Sequence, residues 1–268
     1  MEQICKLCGQ KAALSFEHIP PKSAYNKNKV KTYSGKQLIG REQYPWVLDD
    51  LPYKQSQKGS GLHSLCQQCN NNTGTWYGNE YTKFVNAVLG ILKQADNIKS
   101  NNFIQFKLFD FKPLAVFKQI MSFFCSTNTY NVFDDGLRSF VMTPESNQFD
   151  DAKYRLYMYL VDPRKQSYSS WTGQMVCIRN DAKMYSCSEV IVPPFGYLIR
   201  FNDKKEFEYK ECDITDFSKC EYSAKYDCEF RLRVFERNTF LPTDYRTKEE
   251  IVLSHSQVSI HKKGQFFS

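Results

Sequence analysis

No stretch of this 268-residue chain approaches the roughly 20 consecutive apolar residues that a helical bilayer crossing needs, so no membrane partner is expected. The opening MEQICKLCGQ lacks the charged head and apolar middle of a signal peptide, which makes a reducing cytoplasm the expected location. Structural disulfides are uncommon there, so the ten cysteines ask for another explanation. Solenoid-type repeats and low-complexity tracts are missing as well, which argues for an ordinary globular chain. Histidine is scarce, with four in all, and residues 100–268 carry no nucleophile motif and no phosphate-binding glycine loop.

What is present is less ordinary. Hydrophobic residues at 41% and charged residues at 24% fit a packed domain, and the length suits one large or two modest ones. With 21 Phe and 17 Tyr, rings are expected to dominate the core. The net charge is +7, and residues 1–80 hold 10 Lys and Arg against 6 Asp and Glu. That excess fits a polyanionic partner and equally fits a solvated basic face.

Residues 1–80 are rich in Cys, Gly, Gln, Asn and Lys, with few sustained apolar runs. A unit of that kind builds little core and needs a metal to hold it. Further on, Phe84, Val85, Val88, Leu89, Leu92 and Ala95 recur at helical spacing, which predicts a helix over about 79–95. NFIQFKLFDF reads as a strand, and a second helix starts at Pro113, where proline suits a first turn. From about residue 139 the pattern turns to strands in YRLYMYLVD, GQMVCIRN, SEVIVPPFGYLIRFN and CEFRLRVFERN. The expected class is α+β. A small metal-stapled module over 1–85 precedes helices and a mostly antiparallel, β-rich C-terminal domain over 86–268.

Cys5 and Cys8 form one Cys-x-x-Cys pair, and Cys66 and Cys69 form another. Two thiolates three positions apart grip one side of a tetrahedral ion, and a second pair completes a four-cysteine structural zinc site. Cys125, Cys177, Cys187, Cys212, Cys220 and Cys228 show no close pairing in the sequence and are read as small buried hydrophobes without chemistry.

The knuckle at Cys5 and Cys8, then Glu17-His18-Ile19-Pro20, then Leu65-Cys66-Gln67-Gln68-Cys69-Asn70, resembles the HNH endonucleases of the ββα-metal superfamily. The likeness covers about a third of the chain. It implies a treble-clef-like ββα module in which His18 ends one strand of a hairpin and Asn70 stands near the start of the following helix. It further implies metal-dependent hydrolysis of nucleic acid, with DNA the expected substrate, in restriction or anti-phage settings. Glu17 and Asn70 would hold a catalytic Mg2+ or Mn2+ through oxygen atoms, and neutral His18 would act as general base. Two positions depart from the pattern. Glu17 stands where the family commonly has Asp, and Gly61 stands where its central Asn falls. His63, on the same segment, is the substitute candidate for a catalytic part. Adjacent strand residues face opposite ways, so Glu17 and His18 meet one ion only if the backbone twists there.

Other readings stay open. Tyr25 to Ser60 interleaves Lys27, Lys29, Lys31, Lys36, Arg41, Lys54 and Lys58 with Tyr33, Tyr44, Trp46 and Tyr53, which suits phosphates and stacked bases as well as a plain surface loop. Gly74 and Gly78 predict an interrupted helix, with Trp76 and Tyr77 packing the module against the C-terminal domain. His255 and His261 are expected to be exposed. The C-terminal domain is open to three roles: reading DNA, homo-oligomerisation or sensing a trigger. The alternative to an enzyme is a non-catalytic zinc-knuckle module that binds nucleic acid or protein.

Overall fold

The computed structural model of the chain describes residues 2–39, 41–95, 98–99, 102–165, 168–178, 184–202 and 210–255. His261 lies outside them. Two short strands open the fold, β1 (Gln3–Ile4) and β2 (Lys11–Ala12), paired antiparallel around the first knuckle. Strand β3 (Leu14–His18) follows, then an excursion through β4 (Val30–Thr32), helix α1 (Gly35–Leu38) and β5 (Lys54–Ser56), with β4 and β5 paired. Strand β6 (Gly61–Cys66) returns antiparallel to β3, in register from Leu14↔Cys66 to His18↔Gly61, and runs straight into helix α2 (Gln67–Thr73). The register slips between Ser15 and Phe16 and leaves Ser64 as the extra residue of a bulge. That extra residue explains why the neighbours Ser64 and Leu65 are both fully buried.

The two glycines do not break the helix. A π-turn over Gly74–Gly78 joins α2 to α3 (Asn79–Gln94), with Gly78 and Asn79 both in right-handed helical geometry. Widening one turn accommodates the glycines where a stop was expected. Tyr77 is buried in that turn and donates to the Val141 carbonyl at 2.6 Å, while the Tyr222 hydroxyl donates to the Trp76 carbonyl at 2.9 Å. Helix α3 buries Tyr81, Phe84, Val85, Val88 and Leu92, the face its periodicity predicted.

Strand β7 (Phe103–Phe111) leads to α4 (Pro113–Thr127), in which every residue up to Ser126 is buried. Such all-round burial marks a central helix rather than a surface one. Its Lys118 amine donates to the Thr143 and Pro144 carbonyls at 2.6 and 2.9 Å, and burial pushes it down to about 7. Helix α5 (Asp135–Met142) follows, capped by the Asp134 carboxylate, which accepts from the Leu137 amide at 2.8 Å. The strand pattern therefore begins at Tyr154 and not near 139; the eight residues of α5 are too few for their period to stand out.

The larger sheet comprises β8 (Tyr154–Leu160), β9 (Ser170–Trp171), β10 (Met175–Ile178), β11 (Met184–Val192) and β12 (Phe195–Phe201). Its order is β10-β11-β12-β8, all antiparallel, with β9 also on β11. The last strand, β13 (Tyr226–Arg233), leaves that sheet and pairs with β7 instead. One hydrophobic cluster runs from Cys5 and Leu65 through α3 and α4 to Ile199 and Leu232, and Phe84 stacks on Phe195 at 4.8 Å within it. Among the described residues no helix is long and apolar enough to cross a membrane.

Candidate metal centre and the hairpin it holds

The four predicted cysteines converge. The sulfurs of Cys5, Cys8, Cys66 and Cys69 all lie within 4.8 Å of one another, and Cys8 Sγ is 3.9 Å from Cys66 Sγ. A tetrahedron with metal–sulfur bonds of about 2.3 Å has edges of roughly 3.8 Å, so the cluster fits zinc. The β1–β2 turn supplies the first pair; the end of β6 and the first turn of α2 supply the second. The Cys66 amide donates to Cys5 Sγ at 3.2 Å, and Cys66 occupies the N-cap of α2. The Cys69 thiol donates to Cys5 and draws its pKa down to about 4, while Cys69 itself is raised by the same contact. Among the described residues this is the only such gathering of three or more Cys, His, Asp or Glu side chains.

Glu17 and His18 face opposite ways on β3. Glu17 is buried and accepts on Oε2 from the Ser64 hydroxyl at 3.3 Å and from the Ser126 hydroxyl of α4. Burial lifts its carboxyl to about 7 against the pull of those hydroxyls. Its Oε1 receives no hydrogen bond from a described residue. The bulge at Ser64 points that hydroxyl at Glu17 and the Ser64 carbonyl at the Lys6 amide, 3.0 Å away. Lys6 Nζ in turn donates to the Ser126 carbonyl at 2.8 Å, so one turn of α4 clasps both the knuckle and the hairpin.

His18 is half-buried, its ring 5.0 Å from Phe16 in an edge-on contact. Burial, followed by the charges of Lys22 and Lys58, lowers its pKa, with a main-chain hydrogen bond at Lys58 opposing them. The Lys58 ammonium also lies over the Phe16 ring at 6.0 Å. His63 is exposed, its Nδ1 3.2 Å from the Leu14 carbonyl, and its ring is 5.4 Å from the same Phe16. Phe16 thus touches both imidazoles. Asn70 is not the cap of α2; its Nδ2 donates to Ser15 Oγ at 2.9 Å and to the Phe16 carbonyl at 3.1 Å. Its Oδ1 accepts nothing from the described residues.

Gly61 has a steric cause. A Cβ there would stand 2.1 Å from the Glu17 carbonyl and 2.9 Å from the Phe16 ring, so no asparagine fits between the paired strands. Asn26 fastens the hairpin mouth instead. It is buried, donates from Nδ2 to the Pro20 and Ser60 carbonyls at 2.7 Å each, and accepts on Oδ1 from the Ser60 amide at 2.7 Å. Gly59, at φ +87°, makes room for it, because a Cβ would lie 2.4 Å from Asn26 Oδ1. Asn26→Ala leaves the Pro20 carbonyl and the Ser60 amide without a partner, while the Ser60 carbonyl keeps the Ile19 amide, and is expected to cost about 2–3 kcal/mol. A thermal melt should show the midpoint falling by roughly 5–10 °C.

Sequence reasoning missed Asn26, Ser64 and Ser126. The first sits inconspicuously in YNKNK, and the others acquire their roles only through the bulge and the packing of α4. In the basic excursion, Lys31 lies over Tyr53 at 4.5 Å and Tyr33 is 6.0 Å from Tyr53. Tyr44 and Trp46 stack at 5.0 Å, with Lys248 over Trp46 at 5.3 Å. His255 is half-buried beside Tyr44, 5.2 Å away, and not exposed as expected. Comparison with protein-family models, with curated proteins and with solved structures finds no match for this chain.

Proposed function

We propose that the chain is a zinc-stapled, HNH-type endonuclease that hydrolyses phosphodiester bonds in nucleic acid, most directly DNA. The observation that carries this reading is the placement of His18. It ends the first strand of a ββα unit whose turns converge on four cysteines, and burial together with the charges of Lys22 and Lys58 lowers its pKa. An imidazole neutral at pH 7 accepts a proton from an attacking water. The two lysines supply positive charge for the phosphate that the water attacks. Zinc held by Cys5, Cys8, Cys66 and Cys69 would fasten the hairpin to the helix as a structural ion.

Glu17 and Asn70 would be the oxygen donors for Mg2+ or Mn2+, although the buried Glu17 carboxyl, bound by Ser64 and Ser126, is turned away from His18. Such a cation would supply charge stabilisation at the phosphoryl group. Asn70 meanwhile keeps β3 docked on α2 through its amide nitrogen.

Plasmid cleavage in Mg2+ or Mn2+ tests the proposal. His18→Ala is expected to slow cleavage by roughly 10²–10⁴-fold with zinc content and melting temperature unchanged. Cleavage by that variant at the parent rate removes the proposed base. Glu17→Gln keeps an oxygen for Ser64 and Ser126 but loses the charge, so it should abolish cleavage while the fold stands.

The buried, hydroxyl-bound carboxyl of Glu17 favours a second reading, in which the same unit binds nucleic acid and cuts nothing. A carboxyl lifted to about 7 is a weak partner for an exchangeable cation at neutral pH. On that reading the parent protein retards DNA on a gel yet leaves it whole with either ion.

A further inference from the structure

The remaining cysteines are not all isolated. Cys177 on β10 and Cys187 on β11 lie on antiparallel neighbours with Cys177↔Tyr185 and Met175↔Cys187 in register. They are therefore a diagonal pair on one face of the pleat, a relation that usually separates side chains by about 7 Å. Here the sulfurs stand 3.5 Å apart, both as free thiols. This corrects the expectation that the two cysteines stand apart.

The surroundings differentiate the two sulfurs. Cys187 is fully buried against Tyr157, Tyr159 and Phe235, whereas Cys177 is half-buried near the sheet edge. The Tyr185 hydroxyl, bonded to Thr243 Oγ1 at 2.7 Å, stands beside Cys177. The Cys187 thiol donates to Cys177 and lowers its pKa, and Cys187 is correspondingly raised. A disulfide needs the sulfurs at about 2.05 Å, so closure asks for roughly 1.5 Å of approach. Among the described residues β10 pairs with β11 alone, so no described strand on its other side opposes that approach.

We propose that Cys177 and Cys187 form a reversible dithiol–disulfide site, oxidised by a peroxide through Cys177. The Cys177 thiolate attacks one peroxide oxygen, the O–O bond breaks, and a sulfenic acid forms as hydroxide leaves and takes a proton to become water. The Cys187 sulfur then attacks the sulfenic sulfur, the S–O bond breaks, and the hydroxyl departs with the Cys187 proton as a second water. Two thiols give up two electrons and one peroxide accepts them. The product staples the edge strand to its neighbour, far along the chain from the four zinc-type cysteines.

Peptide mapping of the zinc-loaded full chain after hydrogen peroxide and alkylation tests this. Arg179 and Lys183 fall between the two cysteines, so trypsin separates them and a bridge appears as two linked peptides. The expected product is that linked pair, two hydrogens lighter than its parts and undone by dithiothreitol. Cys187→Ala should leave Cys177 as a sulfenic acid that dimedone traps; Cys177→Ser, at the more exposed position, should remove all peroxide reactivity from Cys187. Two results overturn the proposal. One is Cys177 driven to sulfinic acid while Cys187 stays alkylatable, and the other is both thiols unmodified under peroxide that already oxidises Cys5, Cys8, Cys66 or Cys69.

Discussion

Serine in place of Cys66 is expected to release the zinc and to melt the first third of the chain. Structural zinc contributes an apparent 10–16 kcal/mol or so in small metal-held units, more than many domains possess in total. Cys66 is the hinge of the cluster, because its sulfur faces Cys8 at 3.9 Å while its amide donates to Cys5 Sγ. A hydroxyl is a poor replacement for a thiolate, and three sulfurs alone do not complete a closed tetrahedral set. The melting temperature should fall by more than about 10 °C, and a strong chelator should reproduce the effect in the parent protein. Hydrogen exchange should rise along β3 and β6 while β11 and β12 keep their protection. Elemental analysis of the parent should find one zinc per chain; finding none sinks the four-thiolate assignment.

A methyl group at position 61 is expected to be nearly as damaging. Gly61→Ala places an atom 2.1 Å from the carbonyl of Glu17 on the paired strand, and backbone cannot swing aside as a side chain would. The strands must part or slip, at a cost of about 3 kcal/mol or more, the upper range of overpacking. The midpoint should drop by roughly 6–12 °C. Gly61→Asn, which restores the residue of the HNH pattern, should fare no better. If Gly61→Asn instead melts at the parent temperature or higher, the β3–β6 register is wrong, and with it the role given to Asn26.

The contrast between these two sites shows what the sequence makes legible. The cysteine pairs are readable because each pair needs only four residues of chain to declare itself, and the convergence follows from tetrahedral chemistry. Helices α3 and α4 are readable from their apolar period and from Pro113. Where a property depends on register, local patterns fall silent. Nothing in EHIPPKS tells that Glu17 will accept from Ser126, which lies 109 positions away. The return of β13 to β7 is likewise decided by tertiary packing, as both are ordinary aromatic strands. Gly61 is visible in the sequence, but its steric reason and the fastening role of Asn26 need the folded hairpin. Cys177 and Cys187 look solitary because the ladder, and not their spacing, brings them together.

The clasp that α4 places on the knuckle has a consequence for engineering. A fragment ended after residue 85 would keep all four cysteines yet shed the Ser126 carbonyl that accepts from Lys6, the Ser126 hydroxyl that donates to Glu17 and the Val141 carbonyl that accepts from Tyr77. The zinc unit is therefore a poor graft: moved onto another scaffold, it would need borrowed turns of both α4 and α5 supplying those same three partners before it could hold its shape.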